Sequence, residues 1–365
     1  MAGGYTVPMS GIRVVVTGAT GNVGTSVVEA LGDDDRVESI RGLARRSAEW
    51  SHPRLRLSTI DLGDAAKPVA ARLDDLLAGA DVVIHLAWLF QPTRDPELTW
   101  RTNVLGSIRV FEAAVRSGVK SVVYASSVGA YSPGPQDTRV DETWPTHGWP
   151  GAAYTREKAY LERFLDGFER AHPDLRVVRL RPGFIFKRES ASEQRRLFAG
   201  PLLPGALVHP AILPVVPDLP GLRFQALHSS DVADAYRRAA LSDVRGAFNV
   251  AAEPVVDARS LGELFGAKPI PMPAWPVRAA VAAAWRLHAV PATPGLFDAV
   301  LRLPLMDCSR ARTELDWAPR FTALEALSEF LTGLRERAGM ATAPLAPSVR
   351  GGRLHELLTG VGSRP

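Results

Sequence analysis

A glycine-rich turn between a strand and a helix constrains this chain most. Residues 13–17 form a β-rich apolar run, Arg-Val-Val-Val-Thr, and residues 22–31 have a helical pattern. The glycines between them have the spacing G-x-x-G-x-x-G. The first glycine of such a turn permits the tight bend, the second lets the backbone approach a pyrophosphate, and the third lets the helix pack closely on the strand. The positive end of the helix dipole then faces the anion. We therefore predict a dinucleotide-binding turn, rather than a turn without a ligand, made of Gly18, Thr20, Gly21, Asn22, Val23 and Gly24.

Strands and helices alternate regularly along the first half of the chain. Apolar, β-rich runs predict strands, and apolar residues at helical spacing predict helices. A repeated strand–helix–strand order is typical of an α/β fold with a doubly wound parallel sheet, a Rossmann-like architecture. The predicted strands are 13–17, 37–44, 55–61, 81–87, 121–126, 176–181 and 246–250, and the predicted helices are 22–31, 97–117, 154–171 and 230–241.

The pattern changes after Pro182, which ends the sixth strand. Residues 183–225 are rich in Pro, Gly and Arg, and residues 259–337 predict short helices broken by prolines. We therefore expect a dinucleotide-binding domain over 11–182, with later sheet pieces near 226–250. A smaller, discontinuous substrate lobe would comprise 183–225 and 251–337, and 341–365 would be a flexible tail.

Composition excludes several classes of protein. Hydrophobic residues make up 46% and charged residues 22% of the 365, which is ordinary for a globular chain and excludes a disordered one. Of the 43 basic residues only five are lysine, and the arginines are spread along the chain, so we expect no nucleic-acid partner. A single cysteine, Cys308, excludes an internal disulfide.

We also expect no metal and no membrane partner. The histidines at 85, 147, 209 and 228 have no ligand spacing. The apolar run 277–290 is too short to span a bilayer and contains Arg278, Arg286 and His288. The first ten residues lack the pattern of a signal peptide, so we expect a cytoplasmic protein.

The end of the second strand bears on the choice of cofactor. An acidic residue there would bind the ribose 2′-hydroxyl of NAD, but this chain has Arg45 and Arg46. A guanidinium matches a 2′-phosphate, so NADP is favoured, with NAD the alternative if both arginines are solvated surface residues. After the third strand, Asp61 and Leu62 are expected beside the adenine, unless Asp61 only caps a loop.

A tyrosine and a lysine lie four residues apart on one predicted helical face. Tyr154 and Lys158 would place a phenol beside an ammonium, and we expect the charge of the lysine to lower the pKa of the phenol. A serine hydroxyl, from Ser126 or Ser127, lies at the carboxyl end of the fifth strand, where ligands bind in open α/β sheets. Such a set can orient a substrate oxygen and exchange a proton with it.

Together these motifs resemble the extended short-chain dehydrogenases/reductases, the NAD-dependent epimerase/dehydratase group, over about residues 11–335. The resemblance rests on the glycine turn, His85-Leu-Ala87, Asn103-Val-Leu-Gly106, Ser127 followed by Tyr131, Y-x-x-x-K, His228-Ser-Ser-Asp231 and Gly246-Ala-Phe-Asn-Val250. It implies that Tyr154 is the general acid/base, that Lys158 also binds the nicotinamide ribose, and that Ser127 orients the substrate oxygen. It further implies a homodimer formed through the helices that carry Asn103 and Tyr154. The residues it places along the cofactor are Leu86, Ala87, Asn103, Ser126, Tyr154 and Lys158, with Asn103 open to a purely structural role.

Departures from the family pattern narrow the chemistry. Val128 and Gly129 follow Ser127 where 4,6-dehydratases have an Asp-Glu pair, which disfavours dehydration. The segment after Arg181-Pro182 lacks the asparagine of many nucleotide-sugar enzymes. The resemblance implies hydride transfer between a nicotinamide and a carbinol or carbonyl carbon of a small molecule, and it leaves epimerase and reductase unresolved. The alternative is a nicotinamide-binding sensor or scaffold without turnover.

Two further features are candidate substrate contacts. Trp88 follows the fourth strand and would form an aromatic wall, or else a hydrophobic plug. Arg195, in the basic segment 187–196, would clamp a phosphate or carboxylate, or else be solvated.

Overall fold

The computed structural model describes residues 11–64, 68–200 and 214–348. Strands and helices alternate through residue 250, and short helices dominate after it. The strands are β1 (Ile12–Thr17), β2 (Val37–Ala44), β3 (Leu55–Thr59), β4 (Val82–His85), β5 (Ser121–Ala125), β6 (Arg139–Val140), β7 (Arg176–Pro182), β8 (Phe184–Phe186), β9 (Val215–Asp218), β10 (Arg223–Phe224), β11 (Ala226–His228), β12 (Gly246–Val250), β13 (Val256–Asp257), β14 (Lys268–Pro271) and β15 (Leu305–Met306). The α-helices are α1 (Asn22–Gly32), α2 (Val69–Leu77), α3 (Pro96–Trp100), α4 (Gly106–Arg116), α5 (Ala153–Ala171), α6 (Ala191–Gln194), α7 (Ser229–Ala240), α8 (Ala258–Phe265), α9 (Ala274–Arg286), α10 (Pro294–Val300), α11 (Ser309–Glu314) and α12 (Ala323–Glu336).

Seven strands form one parallel sheet in the order β12-β7-β5-β4-β1-β2-β3. The chain builds β1, β2 and β3 to one side and then returns to build β4, β5, β7 and β12 on the other. The order therefore reverses between β1 and β4, which is where open α/β sheets bind ligands at the carboxyl ends of their strands. The predicted doubly wound, Rossmann-like fold is confirmed.

Both faces of the sheet are buried, as expected for a parallel sheet. Along β1, Val14 and Val16 pack toward α1 and α7, while Val15 packs toward α2, α4 and α5. The alternation of side chains along one strand thus supplies both core layers.

The predicted helix 97–117 is interrupted by a wider turn. The chain forms α3 from Pro96, then a π-helical turn at Arg101–Leu105, and then α4. The side chain of Asp95 caps α3 by accepting the N–H of Leu98 at 2.9 Å. Sequence periodicity cannot show a π-helical turn, because its apolar spacing differs little from that of an α-helix. Such turns are common at functional sites, and this one carries Asn103.

Eight short strands of the described ranges lie outside the seven-stranded sheet. They pair in twos, β8 with β11, β9 with β14, β10 with β13 and β6 with β15. Gly295 of α10 lies so close to Gly151, which precedes α5, that a Cβ atom there would be 1.9 Å from the carbonyl oxygen of Gly151. Helix α10 is therefore packed directly on the loop that leads to Tyr154.

The first residues of the predicted flexible tail are packed against the rest of the protein. Residues 341–348 pack against the lobe, with Thr342 and Leu345 buried. Arg196 donates hydrogen bonds to the carbonyl oxygens of Pro344 and Ala346, and a proline-rich composition does not reveal such anchors. The remainder of the predicted tail, 349–365, lies outside the described residues.

Helix α9 covers most of the apolar run 277–290. Within the described ranges, none of the helices has the length and apolar character needed to cross a membrane.

Candidate active site

The glycine turn has the geometry that its sequence predicts. Gly18 has a φ of +71°, a conformation that other residues rarely adopt, and a Cβ atom there would lie 2.8 Å from the nitrogen of Ala87. At Gly24 a Cβ atom would lie 2.1 Å from the carbonyl oxygen of Gly18, so the helix packs tightly on the turn. At Gly21 it would meet only that same oxygen, at 3.5 Å. The space above Gly21 is therefore open, as the approach of a pyrophosphate requires.

A buried pair of side chains joins the ends of β1 and β4. The hydroxyl of Thr17 lies 2.7 Å from Nδ1 of His85 and accepts the N–H groups of Leu86 and Ala87 at 3.2 Å each. Nε2 of His85 lies 2.8 Å from the hydroxyl of Ser107. Burial lowers the pKa of His85 to about 3, so the imidazole is neutral. It orients the strand ends. Within the described ranges no group of three or more His, Cys, Asp or Glu side chains has the arrangement of a metal site.

A crevice opens at the reversal of strand order. The glycine turn forms its floor, the ends of β2 and β3 form one side, and the segment after β4 forms the other. Many of the residues predicted to bind the cofactor line it, namely Gly18, Thr20, Gly21, Arg45, Arg46, Leu62, Leu86 and Ala87. Trp88, a predicted substrate contact, lines it as well.

Ser127, Tyr154 and Lys158 come together beside this crevice. The hydroxyl of Ser127 accepts the N–H of Gly129 at 2.9 Å and is near enough to the phenol of Tyr154 to lower its pKa. A Cβ atom on Gly129 would lie 2.9 Å from the Tyr154 ring, so a glycine at that position allows the close approach. Nζ of Lys158 lies 5.9 Å from the centre of the Tyr154 ring and donates to the carbonyl oxygen of Ala125 at 2.6 Å.

Burial dominates the electrostatics of these groups. It raises the pKa of Tyr154 to about 12, and the hydrogen bond from Ser127 opposes that shift. Burial also lowers the pKa of Lys158 well below its usual range, against the pull of Glu157 and Glu162. The expectation that Lys158 lowers the pKa of Tyr154 does not hold in this arrangement. The ammonium faces Ala125 and an indole ring rather than the phenol.

That indole belongs to Trp88. Nζ of Lys158 lies 3.4 Å from the centre of the Trp88 ring, and the same ring packs edge-on against Tyr154 at 5.8 Å. Trp88 also lines the crevice, so it lies between the crevice and Lys158. Phe90 stacks on the other side of the tyrosine, with ring centres 5.0 Å apart, and Phe198 meets Phe90. The sequence left open whether Trp88 forms an aromatic wall or a hydrophobic plug. In the structure this one side chain lines the crevice and also packs against Lys158 and Tyr154.

Asn103 lies beneath this aromatic loop and does not line the crevice. Its amide accepts the N–H of Leu89 at 2.7 Å and donates to the carbonyl oxygen of Leu89 at 2.9 Å. It also donates to the carboxylate of Glu157 at 2.7 Å, and Thr99 donates to the same carboxylate. Asn103 thus fixes the loop between Trp88 and Phe90, which agrees with the structural role that the sequence left open for it. Sequence reasoning missed Glu157, although it directly precedes Lys158 on α5.

Ser126 also turns away from the crevice. Its hydroxyl donates to the buried carboxylate of Glu162 at 2.5 Å. Glu162 in turn receives Arg179 and Arg181, at 3.0 and 2.8 Å, and these neighbours lower its pKa to about 2. The wall behind Ser127 is therefore a buried ion-pair network.

The other predicted residues have local partners. The carboxylate of Asp61 accepts the N–H of Gly63 at 3.0 Å, the turn contact that the sequence allowed as its alternative. The side chain of Asn22 donates to the carbonyl oxygen of Ile185, and Val23 packs against the core behind the sheet. Arg195 donates to the carbonyl oxygen of Gly200.

The C-terminal part of the basic segment 187–196 lines the crevice. Lys187 is buried and donates to the hydroxyls of Thr25 and Ser26, at 2.7 and 3.2 Å. The residues of this part of the lobe that line the crevice are Glu193, Arg196 and Leu197, and the segment after 341 adds Ala343 and Pro344. Sequence reasoning missed Glu193. Burial raises the pKa of its carboxyl to about 7, although Arg196 and Lys187 oppose this shift.

The sequence model of the NAD dependent epimerase/dehydratase family matches residues 14–251, more than half of the chain. The chain belongs to this family. The match includes the glycine turn, the aromatic loop and the serine, tyrosine and lysine. The relatives and solved structures that it resembles include proteins named as epimerases, one of them solved with NAD.

Individual relatives agree with this assignment. The chain is 30% identical over 181 residues to UDP-glucose 4-epimerase of Mycolicibacterium smegmatis, covering 48% of this chain and 56% of that protein. It is 29% identical over 194 residues to 3 beta-hydroxysteroid dehydrogenase/Delta 5→4-isomerase of Mycobacterium tuberculosis, covering 51% and 50%. The chain thus spans between half and three fifths of the length of such relatives. The crystal structure of Thermus thermophilus UDP-glucose 4-epimerase with NAD has the same fold, with a TM-score of 0.64 at 21% identity over 89% of this chain and 99% of the other.

Glu193 generates a prediction about pH. Its carboxyl shares the crevice with the glycine turn, so its ionised form would repel the phosphates of a dinucleotide. Because its pKa is about 7, the neutral form is lost as pH rises above that value. We expect the apparent affinity for NADPH to weaken by up to about fivefold between pH 7 and pH 8 in the native protein. The affinity of Glu193→Gln should change much less over the same range.

Calorimetric titration of both proteins at several pH values checks this expectation. The titration of the cofactor itself is common to both proteins and cancels in the comparison. Identical pH profiles for the two proteins would show that Glu193 does not face the bound dinucleotide.

Proposed function

We propose that this protein is an NAD(P)-dependent oxidoreductase or epimerase that transfers a hydride between a nicotinamide and a carbinol or carbonyl carbon of a small molecule. The observation that carries the proposal is the convergence of the Ser127 hydroxyl, the Tyr154 phenol and the Lys158 ammonium beside an open glycine turn. A sensor without turnover would need the turn but not these three groups.

Ser127 and Tyr154 have different roles toward the substrate oxygen. The nicotinamide, when bound, supplies or accepts the hydride at the substrate carbon. Ser127 accepts the N–H of Gly129, so its hydroxyl proton can turn from the phenol of Tyr154 to the substrate oxygen. Tyr154 carries its proton at neutral pH, since its pKa is about 12. It gives that proton to the alkoxide that forms during reduction and takes it back during oxidation.

Lys158 stabilises the phenolate that remains after the proton has left. It can do so only when its ammonium turns from the ring of Trp88 and the carbonyl oxygen of Ala125 toward the phenol and the cofactor ribose. We therefore propose that Trp88 shifts when the cofactor binds. A positive charge brought near the phenol would lower the pKa of Tyr154 and support its role as a base.

The walls of the site favour a substrate with an apolar or ring-shaped face. Trp88 and Phe90 pack on two sides of Tyr154, and Phe198 extends the wall through Phe90. The relatives include proteins named for a nucleotide sugar and for a hydroxysteroid, and both kinds of molecule present such a face. Dehydration is disfavoured, because Val128 and Gly129 follow Ser127 and bring no carboxylate.

We propose NADP as the preferred cofactor, with NAD as the alternative. Arg45 and Arg46 line the crevice at the end of β2, where the adenosine ribose is expected. Neither position offers a carboxylate to the 2′-hydroxyl.

We also propose a homodimer formed through α4 and α5. Leu105, just before α4, and Tyr160 on α5 are each 39% exposed, and Tyr160 packs on Trp100. A second copy of the same pair of helices would cover these side chains as a four-helix bundle.

The proton donor can be tested by one substitution. Tyr154→Phe removes only the phenol oxygen, and we expect kcat to fall by about 10²–10⁴-fold with the fold and cofactor binding retained. Turnover is measured as oxidation of NADPH with a panel of ketones, aldehydes and nucleotide-linked ketosugars. Tyr160→Phe is the matched control, because it makes the same change on the same helix away from Ser127 and Lys158. A Tyr154→Phe protein that keeps more than a third of the native kcat would exclude Tyr154 as the acid/base.

The cofactor preference is tested separately. A charge-assisted contact to the 2′-phosphate contributes about 1.5–3 kcal/mol, or about ten- to a hundred-fold in affinity. We expect NADPH to bind more tightly than NADH by this factor, and the difference to shrink as salt rises. Replacing Arg45 and Arg46 by alanine should erase the preference and leave NADH affinity nearly unchanged.

The matched control replaces two exposed arginines outside the crevice, Arg72 and Arg170, by alanine. Dissociation constants for both cofactors are measured on all three proteins. Equal affinities of the native protein for NADPH and NADH would contradict the proposed contact, whatever the outcome for Tyr154.

A further inference from the structure

The smaller lobe exposes an apolar surface that the reaction does not use. Seven large apolar side chains are exposed in the described part of the chain, and two of them, Leu105 and Tyr160, belong to the proposed dimer helices. The other five lie on β9, on β14 and the residue after it, and at the two ends of α9, and we call them the lobe surface. They are Val215 (44% exposed), Ile270 (40%), Met272 (36%), Trp275 (71%) and Leu287 (79%).

The lobe surface is built on two adjacent elements. Strands β9 and β14 pair in parallel and bring Val215 and Ile270 to the same small sheet. The N–H of Met272 continues this pairing by donating to the carbonyl oxygen of Asp218 at 3.1 Å, and α9 begins two residues later. Trp275 lies in the first turn of α9, and Leu287 lies directly after its last residue.

Helix α9 is unusual in having no buried residue over its thirteen positions. The spacing of an α-helix places Trp275, Ala279, Ala283 and Arg286 along one side, with Arg278 and Leu287 at its borders. These six residues are all exposed. The helix therefore presents a long, shallow face of small side chains, with an indole near one end and a leucine at the other, about 18 Å apart along the axis.

The segment that forms this face carries charges of one sign. From residue 264 to residue 297 the chain has no Asp or Glu, but it has Lys268, Arg278 and Arg286. Arg278 reaches Asp298 at 2.9 Å, at the margin of the face. Asp218, whose carbonyl oxygen accepts the N–H of Met272, places a second carboxylate near the face. An exposed indole, apolar side chains and arginines on one helix are typical of a segment that lies in the interface of an anionic bilayer.

We propose that the lobe surface docks on an anionic phospholipid bilayer. In this arrangement Trp275 and Leu287 enter the interface between headgroups and acyl chains, and Arg286 and Lys268 contact lipid phosphates. A second copy of the chain is a poorer occupant, because self-pairing of this face would bring its arginines together. Docking requires no spanning helix, so it agrees with the absence of one among the described helices, but it departs from the expectation of no membrane partner.

Docking would bring the crevice close to the bilayer. Arg94 packs over the ring of Trp285 at 4.1 Å, and the hydroxyl of Thr93 donates to the carbonyl oxygen of Pro291 at 3.0 Å. These contacts tie the end of α9 to the segment that follows Phe90. The proposal does not rest on the proposed reaction, since it concerns a surface outside the crevice.

Vesicle flotation of the full chain tests the proposal. We expect the protein to float with vesicles of phosphatidylcholine and phosphatidylglycerol, and to float much less with phosphatidylcholine alone or at high salt. Trp275→Ser combined with Leu287→Ser should lower the partition coefficient by about tenfold or more, because two apolar side chains no longer enter the interface. Trp275→Phe combined with Leu287→Phe keeps the apolar character and should retain binding. Thermal unfolding and NADPH titration verify that each variant is folded.

Three results would overturn the proposal. The first is a failure of the native protein to float with anionic vesicles. The second concerns the variants: the serine variant floats as well as the native protein, or the phenylalanine variant loses as much flotation as the serine variant does. The third is a concentration-dependent self-association without vesicles that the serine variant abolishes, which would assign the surface to a second copy.

Discussion

The hydrogen bond between Thr17 and His85 is the interaction on which the site depends. It joins the carboxyl ends of β1 and β4, the two strands between which the sheet order reverses. The same threonine hydroxyl holds the backbone of Leu86 and Ala87 against Gly18, where no Cβ atom would fit. The glycine turn and the aromatic loop are therefore positioned by one buried contact. The low pKa of His85 keeps this contact neutral over the physiological range.

A second set of hydrogen bonds positions the reacting groups. The amide of Asn103 hydrogen-bonds both the N–H and the carbonyl oxygen of Leu89, and it also donates to Glu157, which precedes Lys158 on α5. The loop that holds Trp88 and Phe90 is thus tied to the helix that holds Tyr154 and Lys158. A substitution at Asn103 would act by releasing this loop rather than by removing a contact with the cofactor.

Much of the fold could be predicted from local sequence, and less of the site could. Strands β2 and β12 have the predicted bounds, and the other strands of the sheet differ by one or two residues at an end, because apolar runs and glycine or proline breaks are local signals. Gly18, Gly21 and Gly24 have the predicted geometry for the same reason. The placement of Trp88 on Lys158, the rise in the pKa of Tyr154 and the position of Glu193 depend on burial and on residues far apart in sequence. No periodicity encodes them.

The central claim is that a nicotinamide dinucleotide binds over Gly21, and calorimetric titration of NADPH into Gly21→Val tests it most directly. A side chain at Gly21 meets only ordinary contact with Gly18, so the fold should persist, while the branched side chain fills the space that the pyrophosphate needs. Gly167→Val, on α5 where a Cβ atom has nothing within 4 Å, is the matched control. The account predicts no detectable binding by the folded Gly21→Val protein and native affinity in the control. Native affinity in a folded Gly21→Val protein would contradict it.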